Sequence, residues 1–185
     1  MKTFKDLVIR EPRITEEQAI HQFFESVLVN TFTENDLLSI EGLLEDEILE
    51  KKESLSNYYD SKENLFLVGI LNNEIVGSIE CGKANNLIRV NTREELKDII
   101  SIGTVYVHPK YQKHGLSNKL LKEVLIHLEK AKVNQICFDS GFKVAQQIWM
   151  RKFGYPKYYT ENYFGNGSHH MVWHLNVENA LNLIK

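Results

Sequence analysis

The chain has 185 residues, 43% hydrophobic and 25% charged, with 22 basic against 25 acidic side chains and a formal net charge of −3. That length predicts one domain with a substantial core, and the composition is that of an ordinary soluble globular protein. The charge gives no global attraction to nucleic acid or anionic membrane, and no window is long and apolar enough for a span. The Met1-Lys-Thr-Phe-Lys-Asp start lacks the apolar core of a signal peptide, so the expected compartment is the cytoplasm. Cys81 and Cys137 lie in apolar runs without CxxC spacing and read as buried free thiols.

In chain order, Leu7-Val-Ile-Arg-Glu-Pro predicts a first strand ending before Pro12, which has no N–H for a ladder. Thr15-Glu-Glu-Gln predicts a capping box, with Thr15 reaching the amide of Gln18 and Gln18 reaching back. The helix it opens carries Ala19, Ile20, Phe23, Phe24, Val27 and Leu28 at helical spacing. A second helix is predicted from about Ile40 to Tyr59, with Leu43, Leu44, Ile48 and Leu55 inward. Its Glu45, Asp46, Glu47 and Glu50, followed by Lys51 and Lys52, predict a solvated face with i,i+4 pairs. Leu65-Phe-Leu-Val-Gly-Ile-Leu and Ile75-Val-Gly-Ser-Ile-Glu-Cys then flank Asn72-Asn73-Glu74, a hairpin signal, since asparagine tolerates left-handed backbone. Asn85 to Asp98 reads as a polar, irregular loop, of the length that is usually functional or mobile.

The stretch from Ile102 to Ala131 carries the most information. Ile102-Gly-Thr-Val-Tyr-Val predicts a strand, and Pro109 stops it. After Gly115 the apolar period becomes helical, with Leu116, Leu120, Leu121, Val124, Leu125, Leu128 and Ala131 on one face. Strand, tight turn and helix together make an anion cradle. The first amides of a helix lack intrahelical acceptors, its dipole leaves positive charge there, and a glycine lets backbone approach a phosphate closely. Lys110, Lys113 and Lys119 add charge around the turn.

Gln135-Ile-Cys-Phe-Asp predicts a strand parallel to the one before, if the intervening helix is its crossover. A helix from Val144 to Phe153 should stop at Gly154. Tyr158–Phe164 and His169–Leu175 predict two last strands around Gly165-Asn-Gly-Ser, and the remaining residues either form a short helix or fray. His169, His170 and His174 have no nearby carboxylate or cysteine pattern, and no metal is expected. The fold class is α/β (α+β).

Val107-His-Pro-Lys-Tyr-Gln-Lys-His-Gly-Leu-Ser resembles the acetyl-CoA signature V-x-P-x-x-Q/R-x-x-G-x-G/A of the GNAT superfamily of N-acetyltransferases. Val107, Pro109, Gln112 and Gly115 match in register, and Ser117 is small where the family has glycine or alanine. The order of elements is also that of the GNAT fold. The resemblance implies a single domain over residues 7–175, with a C-terminal extension over 176–185. It implies a mixed, largely antiparallel sheet flanked by helices, whose one parallel strand pair splays apart around the pantetheine arm of CoA. Val105 and Val107 would pair with pantetheine amides, and an amide near Val105 or Tyr106 would polarise the thioester. The amides of Gln112, Lys113, His114, Gly115, Leu116 and Ser117 would hold the pyrophosphate, and Ser140 is grouped with these cofactor contacts.

The implied reaction is direct transfer of an acetyl group from acetyl-CoA to an amine of a small molecule or peptide, with no metal. It needs a base for the ammonium and an acid for the departing thiolate. Glu80, on the third strand, is the first candidate base; His108 and Tyr155 are further candidates for proton transfer. The family usually carries a proton-donating tyrosine four residues ahead of the glycine that ends the helix, here Gly154. Here Met150 stands there, and methionine has no proton to give. That substitution motivates an alternative, a CoA-binding sensor or regulatory module without catalysis. The expected partners are acetyl-CoA, an amine acceptor of unspecified identity and, as an open option, a second copy in a homodimer, with neither nucleic acid nor membrane.

Overall fold

The computed structural model describes residues 4–184. Its strands are β1 (Val8–Arg10), β2 (Leu65–Leu71), β3 (Glu74–Lys83), β4 (Ile100–Val107), β5 (Gln135–Ser140), β6 (Tyr158–Thr160) and β7 (His170–Asn176). They form a seven-stranded sheet in the order β1-β2-β3-β4-β5-β7-β6. The helices are α1 (Glu17–Glu34), α2 (Leu43–Ser61), α3 (Asn86–Asn91), α4 (Leu116–Lys130), α5 (Lys143–Phe153) and α6 (Val177–Leu183). β4 and β5 are parallel, with Ile100 opposite Ile136 and Ser101 opposite Cys137; β1–β2, β5–β7 and β6–β7 are antiparallel. This is the mixed sheet with one parallel pair that the sequence led us to expect. By contacts the chain divides into two compact units, residues 1–80 with 104–124, and 81–103 with 125–185.

In the first unit, the periodic apolar residues of α1 and α4 do the packing. Ile20, Phe24, Val27 and Leu28, and Leu116, Leu120, Val124 and Leu121, are all buried. Phe24 meets Phe66 of β2 edge-on with ring centroids 6.3 Å apart, and Tyr106 of β4 at 6.4 Å. Gly77 is where α4 comes close to the sheet: a Cβ there would lie 2.8 Å from Leu120 Cδ1 and 3.2 Å from the Tyr106 carbonyl. The β2–β3 turn is Asn72-Asn73, with φ of 51° and 63°. Two successive left-handed residues match the right-handed twist of the flanking strands, which is why asparagines stand there.

In the second unit, Phe138 of β5 stacks on Trp173 of β7, centroids 5.3 Å apart at 9°, and meets Trp149 of α5 at 5.4 Å. A smaller apolar cluster joins Ala84, Ile88, Leu96, Cys137 and Val172. Both cysteines are free and buried, and burial pushes the Cys137 thiol up to about 12.

Three local expectations need correction. The cap of the first helix is not Thr15 with Gln18. A 3₁₀ turn over Ile14–Glu16 precedes α1, and Glu16 accepts the Arg13 amide at 2.8 Å while pairing with Arg10 at 2.6 Å. An arginine partner makes that carboxylate the stronger local acceptor. The segment Asn85–Asp98 is not irregular throughout. Asn85 Oδ1 accepts the Ile88 amide at 2.8 Å, starting α3, and buried Ile88 and Leu96 anchor the segment. Finally, the acidic face of α2 is not simply solvated, and Leu43 is exposed instead of inward. Glu47 and Lys51 turn toward the protein and form part of the site described next.

Candidate functional site

The turn between β4 and α4 lies in the first unit. His108 Nδ1 accepts the Lys110 amide at 3.2 Å, its own amide donates to the Val76 carbonyl at 2.9 Å, and Pro109–Tyr111 forms one 3₁₀ turn. Gln112 Nε2 donates to the Val107 carbonyl at 3.2 Å, tying the turn to the end of the strand. Lys113 and Gly115 have φ of 62° and 83°. That backbone turns the chain into α4, and a Cβ built at Gly115 meets nothing within 4 Å. Open space beside Gly115 at the start of a helix, in a segment that carries Lys110, Lys113 and Lys119, suits a phosphate group. Val105, Tyr106 and Val107 are the last residues of β4, and His114, Leu116 and Ser117 continue the turn into α4.

β4 has an unusual residue just before these. Thr104 has φ of 51°, a left-handed conformation that β-branched residues avoid, at a cost of about 1–3 kcal/mol. Its carbonyl accepts a hydrogen bond of 2.9 Å from Ser78 Oγ, and its hydroxyl donates to Glu80 Oε1. Such a kink re-aims the side chains that follow it. Gly103 is the sequence signal that could have revealed it, because glycine inside a strand often marks a bulge.

Glu80 is thereby held from two elements. Thr104 Oγ1 donates to one carboxylate oxygen and Ser54 Oγ of α2 to the other. Nearby on α2, Lys51 Nζ lies 3.2 Å from Glu47 and 2.7 Å from Glu50, and Tyr106 Oη donates to Glu47 at 3.1 Å. Burial alone would lower the Lys51 pKa, but the charges of Glu47, Glu50 and Glu80 outweigh it and raise it, so the ammonium stays charged. Burial, followed by the charge and hydrogen bond of Glu47, holds the Tyr106 phenol well above its ordinary value, so it remains a neutral donor. α2 and β4 thus join hydroxyls, carboxylates and one ammonium around Glu80. Of this group the sequence pointed to Glu80 and Tyr106 but not to Ser54, Glu47, Lys51 or Thr104; pairings between α2 and β3–β4 leave no local pattern.

The remaining sequence candidates are placed differently. Tyr155 is 90% exposed. Ser140, in the second unit, is buried and accepts the Phe142 amide through Oγ at 3.2 Å, while its carbonyl accepts Gln146 Nε2 at 2.9 Å. The three late histidines go to separate partners: His169 Nδ1 accepts the Asn162 amide at 3.1 Å, His170 pairs with Asp139 at 2.7 Å, and His174 lies 3.1 Å from Lys157 Nζ.

A seven-stranded mixed sheet with one parallel pair, whose central strand kinks and then turns through glycine into a helix, defines a recognisable class of α/β protein. Residues 28–175 match the family model described as an acetyltransferase (GNAT) domain, and the chain belongs to that family. Solved structures agree on the fold. The PaiA N-acetyltransferase of Thermoplasma acidophilum, in complex with coenzyme A, is 16% identical with a TM-score of 0.66, over 92% of this chain and 99% of that one. The putative acetyltransferase YncA of Salmonella typhimurium, with its cofactor acetyl-CoA, is 15% identical with a TM-score of 0.66, over 94% and 95%. The ribosomal-protein-S18-alanine N-acetyltransferase of Escherichia coli is 14% identical with a TM-score of 0.63, over 92% and 94%. No curated protein matches the sequence. Family membership supports acetyl transfer as the general chemistry, and no described helix is long and apolar enough to cross a membrane.

Proposed function

We propose that this chain moves the acetyl group of acetyl-CoA onto an amine of a small molecule or peptide by direct attack. Residues 7–175 serve as one acetyltransferase domain acting in the cytoplasm. The observation that supports it most is the turn at Gly115, left-handed and open in front of α4, directly after the strand that ends at Val107. The pyrophosphate of CoA takes the amides from Gln112 to Ser117, and the backbone of Val105 and Val107 pairs with pantetheine. An amide near Tyr106 faces the thioester oxygen, where an oxyanion develops as the amine adds.

Glu80 is the base. Hydroxyls on both oxygens fix its orientation, as a proton acceptor requires. The amine loses a proton, its nitrogen forms the new C–N bond, and the C–S bond breaks with the electron pair going to sulfur. His108 and Tyr155 are weaker candidates. The His108 ring already accepts a backbone amide, and the Tyr155 side chain stands in solvent.

A thermal-shift titration tests the cofactor. A ligand at 100 times its Kd that binds only the folded state adds about 2.7 kcal/mol, which for a chain of this size raises Tm by roughly 5–10 °C. CoA and acetyl-CoA should both do so. No shift at saturating CoA would show that the turn binds no such ligand.

A further inference from the structure

Among the described residues with φ in the left-handed region, Thr104 alone is β-branched and alone lies inside a strand. The others stand in turns, loops and helix ends, and half-way along β4 such a backbone interrupts the pleat. Glycine takes that conformation freely. What threonine brings instead is a hydroxyl, and its branched Cβ narrows the directions in which that hydroxyl can point. Thr104 is buried, so both the hydroxyl and a carbonyl turned from its usual direction must find partners inside the protein.

Both partners come from β3, within the first unit. Ser78 and Glu80 are two residues apart on that strand and so share a face. Ser78, 0% exposed, donates from Oγ to the Thr104 carbonyl at 2.9 Å. Thr104 Oγ1 donates to Glu80 Oε1. A strand carbonyl ordinarily accepts an amide of its neighbour, whereas this one accepts a side-chain hydroxyl. Thr104 is thus held at its carbonyl by one β3 side chain and holds the next inward-facing one, a carboxylate, through its hydroxyl. Ser54 reaches the other oxygen of that carboxylate from α2. Thr104 differs from Ser54 in its place in the chain. It directly precedes Val105 and Tyr106, so its backbone also sets the direction in which those residues leave.

Resting on the acetyl transfer and the Glu80 base proposed above, we propose that Thr104 is a positioning residue of the reaction, whose left-handed backbone and hydroxyl together aim the Glu80 carboxylate. It touches neither substrate nor the reacting atoms; its effect passes through Glu80. Ser78 keeps the kink in place, since a buried serine hydroxyl without its acceptor would stand unsatisfied. The strain at Thr104 therefore has a use, which is to fix the base before the amine arrives.

The test uses the full chain, acetyl-CoA and an amine that the wild type acetylates. T104V keeps the shape and removes the hydroxyl; its kcat should fall about 10- to 100-fold with the KM for acetyl-CoA unchanged. T104S keeps the hydroxyl and should retain most of the rate. The double variant T104V/E80Q should be no slower than E80Q alone, because a residue that acts through Glu80 has nothing left to position. A merely structural defect would instead add to the loss. T104G also lacks the hydroxyl but accepts the backbone without strain, so it must show the same fall in kcat and carries the comparison if T104V does not fold. Wild-type kcat in folded T104V or T104G, or additive losses in the double variant, would overturn the assignment and leave acetyl transfer standing. Wild-type kcat in E80Q would overturn Glu80 as base and Thr104 with it. A wild type that releases no thiol with any amine would overturn acetyl transfer itself.

Discussion

Glu80→Gln is expected to lower kcat by roughly 100- to 10,000-fold while leaving the KM for acetyl-CoA near its wild-type value. The two side chains have the same shape, and the hydroxyls of Ser54 and Thr104 can rotate to accept from an amide as readily as they donate to a carboxylate. The fold therefore loses about 1 kcal/mol or less, a small change against the total stability of a domain. What disappears is the lone pair that takes the ammonium proton. Steady-state kinetics check this. A folded variant with wild-type kcat would remove Glu80 from the reaction and return attention to His108.

Gly115→Glu should weaken CoA binding about 100-fold, or roughly 2.7 kcal/mol, without unfolding the protein. Two effects act at that position. Any side chain at φ of 83° is strained, at about 1–2 kcal/mol, which lowers Tm by several degrees. The Cβ itself meets nothing within 4 Å, so no clash inside the protein adds to that cost. The carboxylate enters the space assigned to the pyrophosphate and opposes its charge. Gly115→Ala separates the two effects: it should carry the strain with a much smaller loss of affinity. Calorimetric titration of wild type and both variants with CoA measures the difference. Equal affinities for wild type and Gly115→Glu would show that the turn does not hold the cofactor.

The elements most legible in the sequence were those with a local cause. Asn72-Asn73 announced a tight turn because both residues tolerate positive φ, and α4 announced itself through seven periodic apolar residues, of which six prove buried and Ala131, just past its end, is exposed. Gly115 marked the cradle by its chemistry alone. Other features depend on partners far away in the chain. Thr104 can adopt its strained backbone because Ser78 and Glu80 hold both its carbonyl and its hydroxyl, and only Gly103 hinted at it. The acidic run of α2 looked like a solvated face because helical spacing cannot tell that Tyr106, 59 residues from Glu47, will donate to it. Asp139 and His170, 31 residues apart, meet only because β5 and β7 pair antiparallel in that register. Sites built across strands in this way are invisible to periodicity, which reads one element at a time.

The three carboxylates and the ammonium around Tyr106 also explain why acceptor chemistry is harder to infer than cofactor chemistry. The proposed cofactor contacts are mostly backbone amides, fixed by the turn and indifferent to side-chain identity. The proposed acceptor contacts come instead from side chains of α2, β3 and β4, where Lys51 already neutralises part of the negative charge.

The most direct measurement is amine-dependent thiol release from acetyl-CoA by the full chain, across a panel of small-molecule and peptide amines, with mass spectrometry of the acceptor. The account predicts release of one thiol for each acetyl group found as an amide on at least one amine. Tight CoA binding with no amine-dependent release across the panel would contradict it and leave a CoA-binding module without catalysis.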